Sequence, residues 1–217
     1  MKQDKKIQKG QPGYLAYKKK TELIKTIILF AIPLALFFAG LISTGTRKNL
    51  LTLVAVLGFL PASKSAVLLI MYIKSHGIEK TDLETIESLL KETGDAVTRN
   101  LTALYDMVFT TQEHTFEVPA IILYGGSAFG FLHKGSKVRK SEENKPAAKR
   151  QEDERKLLTA LEKHLETTLK KERLSVNVKI FSSSDELIGR LKELKEVQKA
   201  DEVNNAAIRK VLCDISL

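Results

Sequence analysis

Two apolar runs near the N-terminus constrain this chain more than any other feature. The first, TIILFAIPLALFFAGLISTGT from Thr26 to Thr46, is uncharged and matches the ~20 residues a helix needs to cross ~30 Å of hydrocarbon. The second, NLLTLVAVLGFLPASKSAVLLIMYI from Asn49 to Ile73, reaches that length only if Lys64 is included. Pro33 and Pro61 sit inside the runs, a placement that spanning helices tolerate better than soluble ones. A connection as short as STGTRKN makes the two helices antiparallel neighbours. A two-helix transmembrane hairpin over 26–73 is therefore expected.

A removable signal peptide is the competing reading, since a basic segment precedes an apolar run. Against it, the basic segment is long, the run exceeds a usual signal core, and a second apolar run follows at once. The segment 1–25 reads as a flexible basic arm with eight lysines against Asp4 and Glu22, whereas the connection between the runs has only Arg47 and Lys48. By the positive-inside rule both termini lie in the cytoplasm. The location expected is a cell membrane, as a multi-pass protein of the bacterial inner membrane. Lys18, Lys19, Lys20, Lys25 and Lys74 flank the runs and are expected to face anionic lipid.

Lys64 needs a reason to be where it is, because a charge near mid-bilayer costs several kcal/mol on insertion scales. At 1.5 Å per residue it lies about 14 Å from Ile73. Either the second helix dips rather than spans, or the Lys64 stem snorkels to a wet boundary, or it meets a partner helix or polar cavity. Neither run contains a carboxylate to pair with it.

Composition adds limits on partners. Averages of 43% hydrophobic and 28% charged residues hide a segregation of apolar residues towards the N-terminus. A net charge of +9 suits an anionic lipid surface or nucleic acid. Nucleic acid is the weaker choice: Trp is absent, Tyr numbers five, so stacking platforms are scarce. The basic stretch KGSKVRKSEENKPAAKRQEDERK also interleaves acids with its bases. The single cysteine, Cys213, excludes an internal disulfide and a Cys-rich zinc site.

Residues 74–217 read as a small cytoplasmic α+β domain. Leu83, Ile86, Leu89 and Leu90 recur at helical spacing, with Thr81 or Asp82 as N-cap and Gly94 as stop. LYDMVFTT, HTFEVPAIILYG and AFGFLHKG have strand composition and short turns between them, which predicts an antiparallel meander. A charged loop near 134–150 leads into an amphipathic helix carrying Leu157, Leu158, Leu161, Leu165 and Leu169. Val176, Val178 and Ile180 alternate as a strand, SSSDE opens a further helix, and a last helix covers roughly 202–214.

That order, helix, three strands, helix, strand, helix, resembles the αβββαβ core of the restriction-endonuclease-like superfamily, which includes nuclease-related domains tethered to bacterial membranes. The resemblance implies an Asp on one strand and a Glu-x-Lys on the next, holding Mg²⁺ near a scissile phosphate. Asp106 and Glu117 occupy those places, but Pro119 stands where the lysine belongs, so the implied site is degenerate. GGSAFG lacks the spacing of a nucleotide-binding loop, and His76, His114, His133 and His164 show no metal-ligand spacing. No cofactor and no metal are expected. The chain reads as a membrane-anchored, non-enzymatic protein whose cytoplasmic domain binds a protein partner or itself. The alternatives are a membrane-tethered nuclease-like enzyme and an accessory subunit of a transport complex.

Overall fold

The computed structural model describes residues 7–46, 50–92, 101–111, 114–133, 147–193 and 202–217. The chain divides into two compact units, Leu15–Ser75, and Met1–Tyr14 with His76–Leu217.

The first unit is a pair of helices, α1 (Tyr14–Thr44) and α2 (Leu50–Lys74). Both are long and apolar enough to cross a membrane. They run antiparallel, since contacts that ascend α1 descend α2. Thr26 Oγ1 lies 2.8 Å from Ser65 Oγ, Phe30 meets Phe59 with ring centres 5.9 Å apart, and Pro33 lies against Gly58. Small residues make the approach possible: Ala55, Ala62 and Ser65 are buried on α2, and Thr26, Pro33 and Gly40 are buried on α1 at seven-residue intervals.

The second unit is a four-stranded mixed sheet with helices on both faces. Its elements are α3 (Lys80–Glu92), β1 (Thr102–Thr110), β2 (Thr115–Tyr124), β3 (Ser127–Phe131), α4 (Ala147–Lys171), β4 (Asn177–Phe181), α5 (Ser184–Glu193) and α6 (Glu202–Ile215). The strands lie in chain order, with β1–β2 and β2–β3 antiparallel and β3–β4 parallel. The β2–β3 turn is Gly125–Gly126, both with positive φ (55° and 74°), the requirement of the tight hairpin turn whose twist matches its strands. A parallel partner for β3 needs a long crossover, and α4 supplies it.

One sheet face packs Leu104, Met107, Phe109, Val118, Ile121 and Leu123 against Leu161, Leu165 and Leu169 of α4 and Ile208 and Leu212 of α6. The other packs Tyr105, Ala120, Ile122 and Phe131 against Ile86 of α3 and Leu187 and Leu191 of α5. The start of α5 is built as SSSDE predicts. Ser183 Oγ accepts the Glu186 N–H at 3.3 Å, and the Glu186 carboxyl reaches back to the Ser182 N–H at 3.0 Å.

Strict alternation along β1 would put Leu104 and Met107 on opposite faces, yet both join the same core, as do Val118 and Ile121 on β2. The two slips coincide. Asp106 adopts a left-handed φ of 57°, and Pro119 has no N–H to offer. The register nevertheless continues from Tyr105↔Ala120 to Met107↔Val118. This shared irregularity is why the sequence shows only partial alternation here.

Both chain ends cover the exposed edge of β1. Tyr105 N–H donates to Gly10 O at 2.9 Å and Leu217 N–H to Val108 O at 2.8 Å, which blocks a templating edge. Lys9 Nζ donates to Cys213 O (2.9 Å) and Ser216 O (2.6 Å), placing a cation at the carbonyl end of α6. The segment 1–25, read as a flexible arm, is therefore different in its described part. Residues 7–13 dock on the sheet unit, and α1 begins at Tyr14, well before Thr26. Burial pushes the half-buried Cys213 thiol upward against the opposing pull of Arg209 and Lys9, so it is a poor nucleophile. α3 starts at Lys80, which places Thr81 and Asp82 inside the helix rather than at its cap. The expected stop at Gly94 and most of the charged loop near 134–150 lie outside the described residues; 147–150 belong to α4.

Candidate functional site

Two acidic side chains of the sheet hold the residues that open the second unit. Asp106 Oδ1 on β1 accepts the Ile78 N–H at 2.9 Å, and Glu117 Oε2 on β2 accepts the His76 N–H at 3.2 Å. Both acids are buried, where a polar group without hydrogen bonds would cost several kcal/mol. Gly77 lies between the two anchored residues, and a Cβ there would stand 2.7 Å from Asp106 Oδ1. A side chain there would have to displace the Asp106 carboxyl from its hydrogen bond with the Ile78 N–H.

Glu117 also gathers two histidines. Its main-chain O accepts the His133 N–H at 3.0 Å, and its Oε2 lies 3.2 Å from His76 Nδ1. The two imidazoles stack, with centres 5.2 Å apart and planes 27° from parallel. One donor atom from each of His76, Glu117 and His133 lies within 4.8 Å of the others. His76 is exposed, His133 half-buried and Glu117 buried, so the group has a dry carboxyl floor and an open side. Tyr105, beside Asp106 in sequence, takes no part in proton chemistry near neutrality. Burial, and secondarily Glu87, pushes its phenol up to about 12.

Asp106 and Glu117 thus stand on adjacent strands and bind neighbouring stretches of the same segment. The remaining candidates fall elsewhere. His114 flanks the β1–β2 turn against Phe116, and His164 lies on α4. Lys18, Lys19, Lys20 and Lys25 are on α1, where Lys18 and Lys25 flank Glu22 at 3.9 and 3.4 Å. Lys74 ends α2 and is exposed. Lys64 is exposed on the outer surface of the helix pair, while its neighbour Ser65 turns inward to Thr26.

Chain spacing gave no reason to group His76 with His133. The information sits in strand register. Ala120 pairs with Phe131, and extending that antiparallel ladder by two residues brings His133 opposite Val118, next to Glu117. The His76 contribution had no signal short of the fold itself. Compared with protein-family models, with curated proteins and with solved structures, the chain matches none.

Proposed function

We propose that the chain is a multi-pass membrane protein in which α1 and α2 form a transmembrane hairpin. Both termini face the cytoplasm, and the α+β unit is a non-enzymatic interaction domain for a partner protein or a second copy. One observation carries the membrane reading. Every exposed large hydrophobic side chain among the described residues lies between Leu23 and Ile73, with Ile42 84%, Leu50 76% and Leu60 68% exposed. In water each such side chain forgoes about 25 cal/mol per Å² of burial, and a continuous patch of this kind marks a surface meant for a partner or a lipid. Lys18, Lys19 and Lys20 precede the band, Lys25 lies in its first turn and Lys74 follows it, and they attract anionic lipid, each by about 1 kcal/mol near the surface. Lys64, on the outer side of α2, snorkels along the helix towards the lipid headgroups.

The non-enzymatic reading rests on how the acids are used. Asp106 and Glu117 engage main-chain N–H groups of 76–78, and Pro119 stands in the place a catalytic lysine would need. The purified full chain in mild detergent should therefore run as a stoichiometric assembly, with itself or one partner. It should leave DNA intact with Mg²⁺ present. A monodisperse monomer that cuts DNA with Mg²⁺, and loses that activity on Glu117→Gln, would overturn the reading.

A further inference from the structure

We infer that His76, Glu117 and His133 form a binding site for a divalent transition metal ion, with Zn²⁺ the strongest candidate. The site stands on the sheet unit's own geometry and does not depend on whether the helices span a membrane.

The donor set selects the ion. Two imidazole nitrogens and one carboxylate oxygen suit Zn²⁺, Co²⁺, Ni²⁺, Mn²⁺ or Fe²⁺, whereas Ca²⁺ and Mg²⁺ favour all-oxygen shells. Affinity at such sites climbs from Mn²⁺ and Fe²⁺ to a peak at Cu²⁺ and falls again at Zn²⁺, which disfavours Mn²⁺ and Fe²⁺, while Cu²⁺ and Ni²⁺ prefer square-planar or tetragonal shells, so tetrahedral spacing selects Zn²⁺. Separations agree with this choice. Two ligands held about 2.0–2.1 Å from one tetrahedral zinc stand about 3.3 Å apart, and His76 Nδ1 and Glu117 Oε2 already stand at 3.2 Å. The third donor, within 4.8 Å of both, closes by rotating the half-buried His133 ring against its stacked neighbour.

Placement makes the site more than a chance surface cluster. Glu117 is buried in β2 and fixed in register opposite Val108, so the carboxyl does not wander. His133 is tied to it through the main-chain hydrogen bond from its N–H to Glu117 O. His76 is tied through its own N–H to Glu117 Oε2. Three points of the backbone are thus positioned before any ion arrives, which lowers the ordering cost of binding. Three protein ligands leave at least one coordination position for water or an incoming donor, as in open zinc sites. Bound metal would cross-link the segment opening the sheet unit, β2, and the chain leaving β3.

The test is metal binding by the full-length chain in detergent, stripped with a chelator and titrated with Co²⁺ and Zn²⁺. One equivalent per chain should bind, giving the visible absorption of Co²⁺ in a low-coordinate site, with Zn²⁺ displacing it. His76→Gln and His133→Gln, neither of which removes a core contact, should each weaken Zn²⁺ binding by at least about 100-fold, beyond the 10–100-fold that loss of an outer-shell group produces. Glu117→Gln keeps an acceptor for the His76 N–H and should weaken binding as well. His114→Gln with His164→Gln should leave it unchanged. Absence of a one-equivalent site in the parent chain, or equal affinity in the His76→Gln/His133→Gln double variant, would overturn the assignment.

Discussion

Asp106→Val should abolish the cooperative melt of the sheet unit at physiological temperature or lower its midpoint drastically. The position demands a left-handed φ of 57°, which costs an ordinary L-residue about 1–2 kcal/mol and a β-branched one more. The change also removes the buried acceptor of the Ile78 N–H, a hydrogen bond to an acidic group worth about 1.5–3 kcal/mol. Together the loss is about 2.5–5 kcal/mol, a large part of the 5–15 kcal/mol that holds a typical domain. Asp106→Asn keeps an acceptor and tolerates left-handed backbone, so its melt should stay near that of the parent chain. Gly77→Ala should resemble the valine variant in kind, because the new Cβ would meet Asp106 Oδ1 at 2.7 Å. Thermal melts of the intact protein in detergent, followed by far-ultraviolet circular dichroism, read all three. Equal stability of Asp106→Val and Asp106→Asn would show that neither the backbone conformation nor the Ile78 contact matters.

The second large effect concerns the helix pair. Gly58 lies so near Pro33 that even a Cβ would sit 3.1 Å from the proline Cβ. Alanine is tolerable with a small shift, but Gly58→Phe forces the helices apart. Overpacking costs about 1–3 kcal/mol, which at 1.4 kcal/mol per tenfold lowers the equilibrium constant for close packing by about 5- to 140-fold. The readout is a disulfide between Thr26→Cys and Ser65→Cys, whose hydroxyls lie 2.8 Å apart, in a Cys213→Ser background. Crosslinking should be efficient with Gly58 or Gly58→Ala and collapse with Gly58→Phe. Undiminished crosslinking in the phenylalanine variant would place the contact elsewhere.

How much of this was written plainly in the sequence differs by element. The apolar runs were legible because length and the scarcity of charge, Lys64 alone excepted, act locally, and Leu161, Leu165 and Leu169 mark their helix by spacing alone. The strands were legible in position, since Val178 and Ile180 alternate and Gly125–Gly126 announces its turn. The parallel placement of β4 beside β3 was not, because pairing depends on the crossover of α4 rather than on any residue in either strand. Asp106 and Glu117 are visible in the sequence as acids on adjacent strands, but their hold on 76–78 is not. A left-handed Asp inside a strand leaves no mark in composition. The histidine group was hidden for a similar reason: its members lie in three separate segments that only the β2–β3 register and the path after α2 bring together. In the arm, the lysines were visible as a class, while the docking of Lys9 on the end of α6 depends on carbonyls more than two hundred residues away.

The central claim, that α1 and α2 cross a membrane and leave the sheet unit in the cytoplasm, is tested most directly by thiol labelling in intact cells. In a Cys213→Ser background, Thr46→Cys marks the connection between the helices and Thr167→Cys an exposed position on α4. A membrane-impermeant thiol reagent should label Thr46→Cys in intact cells and Thr167→Cys only after permeabilisation. Labelling of Thr167→Cys in intact cells, or equal protection of both positions until the membrane is opened, would contradict the account.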